Sequence, residues 1–308
     1  MAAILAVVEK VLVIMFLILV GYWVTRRGML TDRGAGEITS LLIKVVTPCV
    51  IVNSFIGSGG SLEYSQLLMA VALPAVWMAL SLGTSLLVFR KEPPERQKVL
   101  RFSILFSNVG FMGIPLVQGI VGDKGVIYAS FGVVVFNILC WTYGYSMMSG
   151  GAKLNLKTVL FNPGIVGLAF GLPIYFFQLQ LPAIVAEPIG YLADLNTPLA
   201  MLVVGSYIAK VELHSFVSDM SVYTASFFRL LVIPMAFLGV LMLVGPSEEL
   251  FVSSMIQAAA PVAANAVLFA VQYKRDSALA SKLVAASTVL SIITIPVMTI
   301  LAQAACRG

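Results

Sequence analysis

Two short stretches carry the residue types from which a polar site can be built inside an otherwise apolar chain. The first, Ser107-Asn108-Val-Gly110-Phe-Met-Gly113-Ile-Pro115-Leu116, combines an amide side chain with two glycines and a proline. The second holds Pro261 and Asn265, with Pro261 lying 146 residues beyond Pro115. Proline lacks an amide hydrogen and clashes with the preceding turn, and glycine weakens a helix. Both stretches are therefore expected to interrupt a helix. Each interruption starts a new half-helix whose unpaired amides carry a partial positive charge, which suits an anion. Asn108 and Asn265 add both donors and acceptors. Asn137, midway along another apolar stretch, is a third candidate for the same cavity. The expected binding residues are thus Asn108, Gly110, Gly113, Pro115, Asn137, Pro261 and Asn265.

Three charges fall inside apolar stretches, where charge is costly and usually functional. Lys44-Val-Val-Thr47-Pro48 is echoed by Asp194-Leu-Asn-Thr197-Pro198 after 150 residues. Matching positions suggest a Lys44–Asp194 ion pair, or gating and coupling charges; the alternative is that Lys44 snorkels to the membrane surface. Arg229, five residues before Pro234, is expected to pair with Asp194 or to balance a substrate charge. Glu9, Glu37 and Glu187 lie near the ends of apolar stretches and are expected at the interfaces.

Other chemistries lack their residues. No Gly-Lys-Ser/Thr loop is present to cradle a nucleotide phosphate, and Gly57-Ser58-Gly59-Gly60-Ser61 reads as a flexible connection. His214 is the one histidine. Cys49, Cys140 and Cys306 are scattered without metal-ligand spacing and read as small core residues. No acidic pair occupies either interruption, against a sodium/proton antiporter. Neither an enzyme, a metal nor a cofactor is expected.

The elements that must hold these residues follow from composition. Of the 308 residues, 60% are hydrophobic and only 11% charged, with a mean hydropathy of +1.00; a soluble domain has about twice that charged fraction. A helical span needs roughly 20 apolar residues, and such stretches lie near 4–25, 36–56, 64–89, 100–119, 125–148, 159–178, 183–209, 217–244, 249–272 and 278–301. The first is read as a span, not a cleaved signal, because it is long, carries Glu9 and Lys10 and lacks a small-residue cleavage site. Gly164, Gly167 and Gly171 are expected to allow close helix packing.

Positive charge is concentrated in the odd connections: Arg26, Arg27 and Arg33; Arg90, Lys91, Arg96, Lys98 and Arg101; Lys153 and Lys157; Lys210; Lys274, Arg275 and Lys282. The other side has Lys124 and Arg307, with Lys10 at a span end. The positive-inside rule then puts both termini outside the cytoplasm.

The interruptions fall in the fourth and ninth stretches, the Thr-Pro pairs in the second and seventh, and Pro74 and Pro234 in the third and eighth. The expectation is an all-α membrane protein of ten transmembrane helices. Residues 1–148 and 159–308 form two five-helix repeats joined by a short cytoplasmic linker, 149–158. An odd number of spans per repeat inverts the second copy, so the broken helices 4 and 9 cross near the midplane, an architecture of secondary transporters.

Asn108-Val-Gly-Phe-Met-Gly-Ile-Pro-Leu116 resembles the fourth-span signature of the auxin efflux carrier family. Pro261-Val-Ala-Ala-Asn265-Ala-Val-Leu-Phe-Ala270 is similar to its ninth-span counterpart, and Arg26-Arg27-Gly28, Thr47-Pro48, Asn162-Pro163 and the Arg229…Pro234 spacing fit the same pattern. The resemblance implies a scaffold of helices 1, 2, 6 and 7, a transport domain of helices 3–5 and 8–10, elevator-type alternating access, organic anions as cargo, and dimers through the scaffold. With its short linker the chain resembles a prokaryotic member, and the resemblance implies small carboxylates such as malate or malonate, or an auxin-like acid, as the expected cargo. A sodium-coupled symporter of the bile-acid-transporter type and a passive anion channel are the alternatives. The expected location is the cell (plasma or inner) membrane.

Overall fold

A computed structural model describes residues 2–56, 64–151, 157, 160–209 and 219–307. The 57–61 loop, Lys153, Lys210, His214, the Lys10 side chain and most of the 149–158 linker lie outside the described residues.

The described residues form twelve helices. They are α1 (Ala2–Arg26), α2 (Asp32–Phe55), α3 (Tyr64–Val88), α4 (Pro94–Leu105), α5 (Val109–Ile120), α6 (Asp123–Ser149), α7 (Pro163–Phe176), α8 (Ala183–Ala209), α9 (Met220–Val244), α10 (Glu248–Ala259), α11 (Asn265–Gln272) and α12 (Ser277–Arg307). Helix occupies every predicted apolar stretch, and the fourth and ninth each hold two helices. Among the described residues, six helices (α2, α3, α6, α8, α9 and α12) are long and apolar enough to cross a membrane. At 1.5 Å per residue, about 20 residues already cover the ~30 Å hydrocarbon core. Helix α7 is shorter than the sequence suggested, because Asn162 caps it: the Asn162 Oδ1 accepts from the Gly164 amide at 3.0 Å, with Pro163 as the first helical residue. Leu12, Phe16, Leu19, Trp23, Leu243 and Ile293 stand exposed on the outer faces, an apolar surface that suits lipid and not water.

Proline shapes several of these helices. Widened π-helical turns at Leu42–Val46, Val109–Gly113 and Phe228–Val232 each end two residues before a proline, namely Pro48, Pro115 and Pro234. A proline removes one i→i−4 hydrogen bond and crowds the carbonyl one turn back, and a wider turn relieves that crowding. Gly110 and Gly113 thus sit inside the π-helical turn that opens α5, and Pro115 lies in the α-helical turn that follows. The backbone leaves helical geometry earlier, at Phe106–Asn108, as a physical consequence of where a proline can be absorbed.

Two regions pack differently. Helix α1 lies along the second half of α8, and α7 lies against the second half of α2. At the first contact, a Cβ on Gly21 or Gly205 would overlap backbone atoms of the opposite helix; at the second, a Cβ on Gly167 would come within 3.0 Å of the Pro48 Cα, and one on Gly171 would strike the Phe55 ring. Close approach without side chains is how helices associate where water is absent. The other region gathers α3, α4, α6, α9, α10 and α12 around the two interruptions, with Trp77 of α3 edge-on to Phe237 of α9 at 5.7 Å.

Candidate functional site at the helix crossing

Helices α4 and α10 end at Leu105 and Ala259, and the chain resumes helix at Val109 and Asn265. The two extended segments between them meet antiparallel, with Ser107 opposite Val262. The Asn108 amide donates to the Pro261 carbonyl at 2.7 Å, and the Ala263 amide donates to the Phe106 carbonyl at 2.9 Å. A third freed amide, that of Val262, donates to the Ser287 Oγ of α12 at 3.0 Å. An unpaired backbone group away from water costs several kcal/mol. Each interruption therefore supplies the partners that the other lacks, as a two-residue fragment of β-ladder set inside a helical protein.

The amide side chains are thereby left for other work. Asn108 is 9% exposed, and its backbone carbonyl accepts from the Met112 and Gly113 amides. Ser107 is buried and its hydroxyl has no partner. Asn265 opens α11 and its Nδ2 reaches the Sγ of buried Cys140 at 3.5 Å. Asn137 is engaged differently: its Oδ1 accepts from the Asn162 Nδ2 at 3.1 Å, so it steadies the residue that caps α7.

Sequence reasoning missed Gln257 and Asn196. Gln257 is buried at the end of α10, its Nε2 donating to the Ala129 carbonyl of α6 at 2.8 Å, and it lies against Gly113. Asn196 is 3% exposed with its Nδ2 unpartnered. A polar residue in an apolar stretch was the available signal for both. Ser287 gave no signal, because a serine in an apolar helix ordinarily bonds its own preceding turn; its hydroxyl donates to the Val284 carbonyl at 3.1 Å while accepting from Val262.

Aromatic rings flank the crossing. Phe106 contacts Phe102 and Phe136, and Phe102 contacts Phe269. Asn265 and Phe269 lie on one face of α11 at four-residue spacing, and Tyr273 follows just past its end. Phe269 meets Trp141 of α6 at 5.0 Å, and Tyr273 meets Tyr145 at 5.6 Å. A ligand with a planar apolar part would find matching surface beside the amides.

The charges are distributed otherwise than expected. Lys44 and Asp194 are both exposed, and no ion pair joins them among the described residues. Equal places in a repeat fix the depth of a side chain but not its direction around the helix, which is why the register did not produce a pair. Arg229 pairs with no carboxylate among the described residues either. It is fully buried, and its Nη1 donates to the Ile104 carbonyl at 3.0 Å and to the Ser81 Oγ at 3.3 Å, while its Nη2 donates to the Ala258 carbonyl. Glu9 and Glu187 are exposed, and Glu37 pairs with Arg33 at 2.9 Å.

At one end of the helices, the basic connections form ion pairs. Arg96 bridges Glu92 at 3.2 Å and Asp219, and Ser221 donates to Glu92. Arg275 pairs with Glu95 and donates to the Met148 carbonyl at 2.8 Å. Lys98 beside Glu95, with Arg275 adding to it, holds the Glu95 carboxyl below its ordinary value. Elsewhere, a cavity of about 430 Å³ lies between α2, α7 and α8, bounded by residues such as Pro48, Cys49, Phe170 and Leu181. Its lining side chains offer no amide or cation to a carboxylate.

A multi-span helical protein with two interrupted helices bonded backbone to backbone at their breaks is the class that these features define. The family model described as a membrane transport protein matches residues 6–159 and 152–299. The chain belongs to this family, the auxin efflux carrier family. It is similar to an uncharacterized transporter of Methanothermobacter thermautotrophicus, with 27% identity over 301 residues covering 95% of this chain and 97% of that one. It is also similar to an uncharacterized transporter of Methanocaldococcus jannaschii, with 28% identity over 210 residues covering 64% and 67% of the two chains. The protein is therefore a multi-pass membrane transporter and not an enzyme.

Proposed function

We propose that this transporter is a secondary carrier of an organic anion, a small carboxylate or an auxin-like acid, that works by elevator-type alternating access. The observation that carries the reading is the antiparallel meeting of the two interruptions, since it satisfies the backbone locally and leaves Asn108, Asn265 and the starts of α5 and α11 to face a ligand. Gly110, Gly113, Pro115 and Pro261 shape this site, and Asn137 borders it from the turn of α6 before Cys140, whose Sγ meets Asn265. Ten spans in two inverted repeats account for the twelve helices if α4 with α5 and α10 with α11 each count as one. Packing supports that count: α2 lies on α7 as α8 lies on α1, and α6 meets α10 as α12 meets α4. Each pair becomes the other when a span is replaced by the one five places along. The scaffold is then α1, α2, α7 and α8, with the remaining helices as the moving body, both termini outside the cytoplasm, and two copies associating through the scaffold.

The test is a thermal-shift screen of the purified full chain against mono- and dicarboxylates and indole acids, because a ligand that binds the native state raises its apparent stability. At least one carboxylate is expected to raise Tm and to be taken up by proteoliposomes without sodium. Strict sodium dependence would favour a symporter of the bile-acid-transporter type, single-channel currents would favour a passive channel, and no response to any anion would overturn the reading.

A further inference from the structure

We infer that Arg229 sets the charge preference of the crossing, a positioning role that rests on the anion-carrier reading and goes beyond it. At each interruption one helix ends and another begins within a few residues, so a half-negative and a half-positive helix terminus lie close together. Two such pairs would largely cancel and give little preference for charge. Arg229 removes the cancellation. Its guanidinium donates to Ile104 and Ala258, one carbonyl from the last turn of α4 and one from the last turn of α10. One full positive charge thus offsets both negative ends, and the positive starts of α5 and α11 stand unopposed.

A second observation points the same way. Arg229 is 0% exposed, and no carboxylate among the described residues lies within ion-pair distance of it. Its guanidinium is permanently charged, and its Nε has no partner. A buried cation without an acid leaves the interior of the crossing one unit positive, and an anionic ligand supplies the missing charge. For unit charges about 8–10 Å apart at an effective dielectric near 20, such an attraction is worth roughly tenfold or more in affinity.

The test neutralises Arg229 without removing it. Ser81→Asp places a carboxylate where the Ser81 Oγ now accepts from Arg229, and Ser81→Asn places an uncharged group of the same shape. The full chain in lipid nanodiscs is titrated with malonate and malonamide, and with indole-3-acetate and indole-3-acetamide. Wild type and Ser81→Asn are expected to prefer the carboxylate of the pair that binds. Ser81→Asp is expected to lose about tenfold or more for that carboxylate, with its amide within about twofold. Should Ser81→Asp fail to fold, Arg229→Lys and Arg229→Met decide the matter, the first keeping the preference and the second losing it. Ser81→Asp binding the carboxylate as Ser81→Asn does would overturn this role alone. A wild type that binds neither carboxylate would overturn the anion reading and this role with it.

Discussion

The α1–α8 contact and the meeting of the two interruptions solve the same problem in opposite ways. Both must hold helices together where water gives no hydrophobic push. At α1–α8 both chains run as helix through the contact, and Gly21 and Gly205 let the backbones approach until shape fixes them. At the crossing the backbones are incomplete, and the polar groups they release bind Ser287, Arg229 and each other. The difference teaches where function can reside. A contact made of shape offers a ligand nothing, whereas a contact made of paired polar groups needs only a few left over to become a site.

That contrast can be broken first at the shape-based contact. Gly205→Leu forces a side chain into the backbone of α1, where overpacking costs about 3 kcal/mol or more, and is expected to abolish monodisperse protein in detergent. A normal yield and elution profile would show that the contact is not needed. At the crossing, Ser287→Ala leaves the Val262 amide without its partner and is expected to cost about 1–3 kcal/mol, read as a lower Tm together with slower transport. Unchanged Tm and transport in this variant would mean that the amide finds another acceptor.

The smallest effect belongs to the ion pairs at the helix ends. The Glu95 carboxyl is held below its ordinary value, so its added stability is full at neutral pH and disappears as pH falls through its folded-state pKa. Glu95→Gln is expected to lower Tm slightly at pH 7, with the difference closing as pH falls through that pKa, as exposed pairs contribute little. A difference between the two that does not shrink as pH falls would assign the loss to packing instead.

The sequence announced the interruptions through Pro115 with Gly110 and Gly113, and through Pro261, since proline and glycine act on the backbone of their own turn. It did not announce where the chain would actually straighten. Pro115 is absorbed by the widened turn before it, so the extended residues are Phe106–Asn108. Arg229 was visible as a buried charge, but its partners are carbonyls of Ile104 and Ala258, and a backbone carbonyl has no signature in the residue names. Asn137 was chosen for its depth in a span; the Asn162-Pro163 pair beside it was the cap signal that accounts for its contact. Lys44 and Asp194 failed to pair for the reason already given, that register does not set the direction of a side chain.

The central claim is that the crossing, and not the scaffold, binds the anion. It is tested most directly by calorimetric binding of a carboxylate that stabilises the wild type, with Asn108→Ala, Asn265→Ala and Cys49→Ser side by side in nanodiscs. Cys49 lines the apolar cavity between α2, α7 and α8 and serves as the comparison. The account predicts at least about tenfold weaker binding in each asparagine variant, the scale of one lost charge-assisted hydrogen bond, and an unchanged affinity in Cys49→Ser. Wild-type affinity in both asparagine variants, or a loss confined to Cys49→Ser, would contradict it.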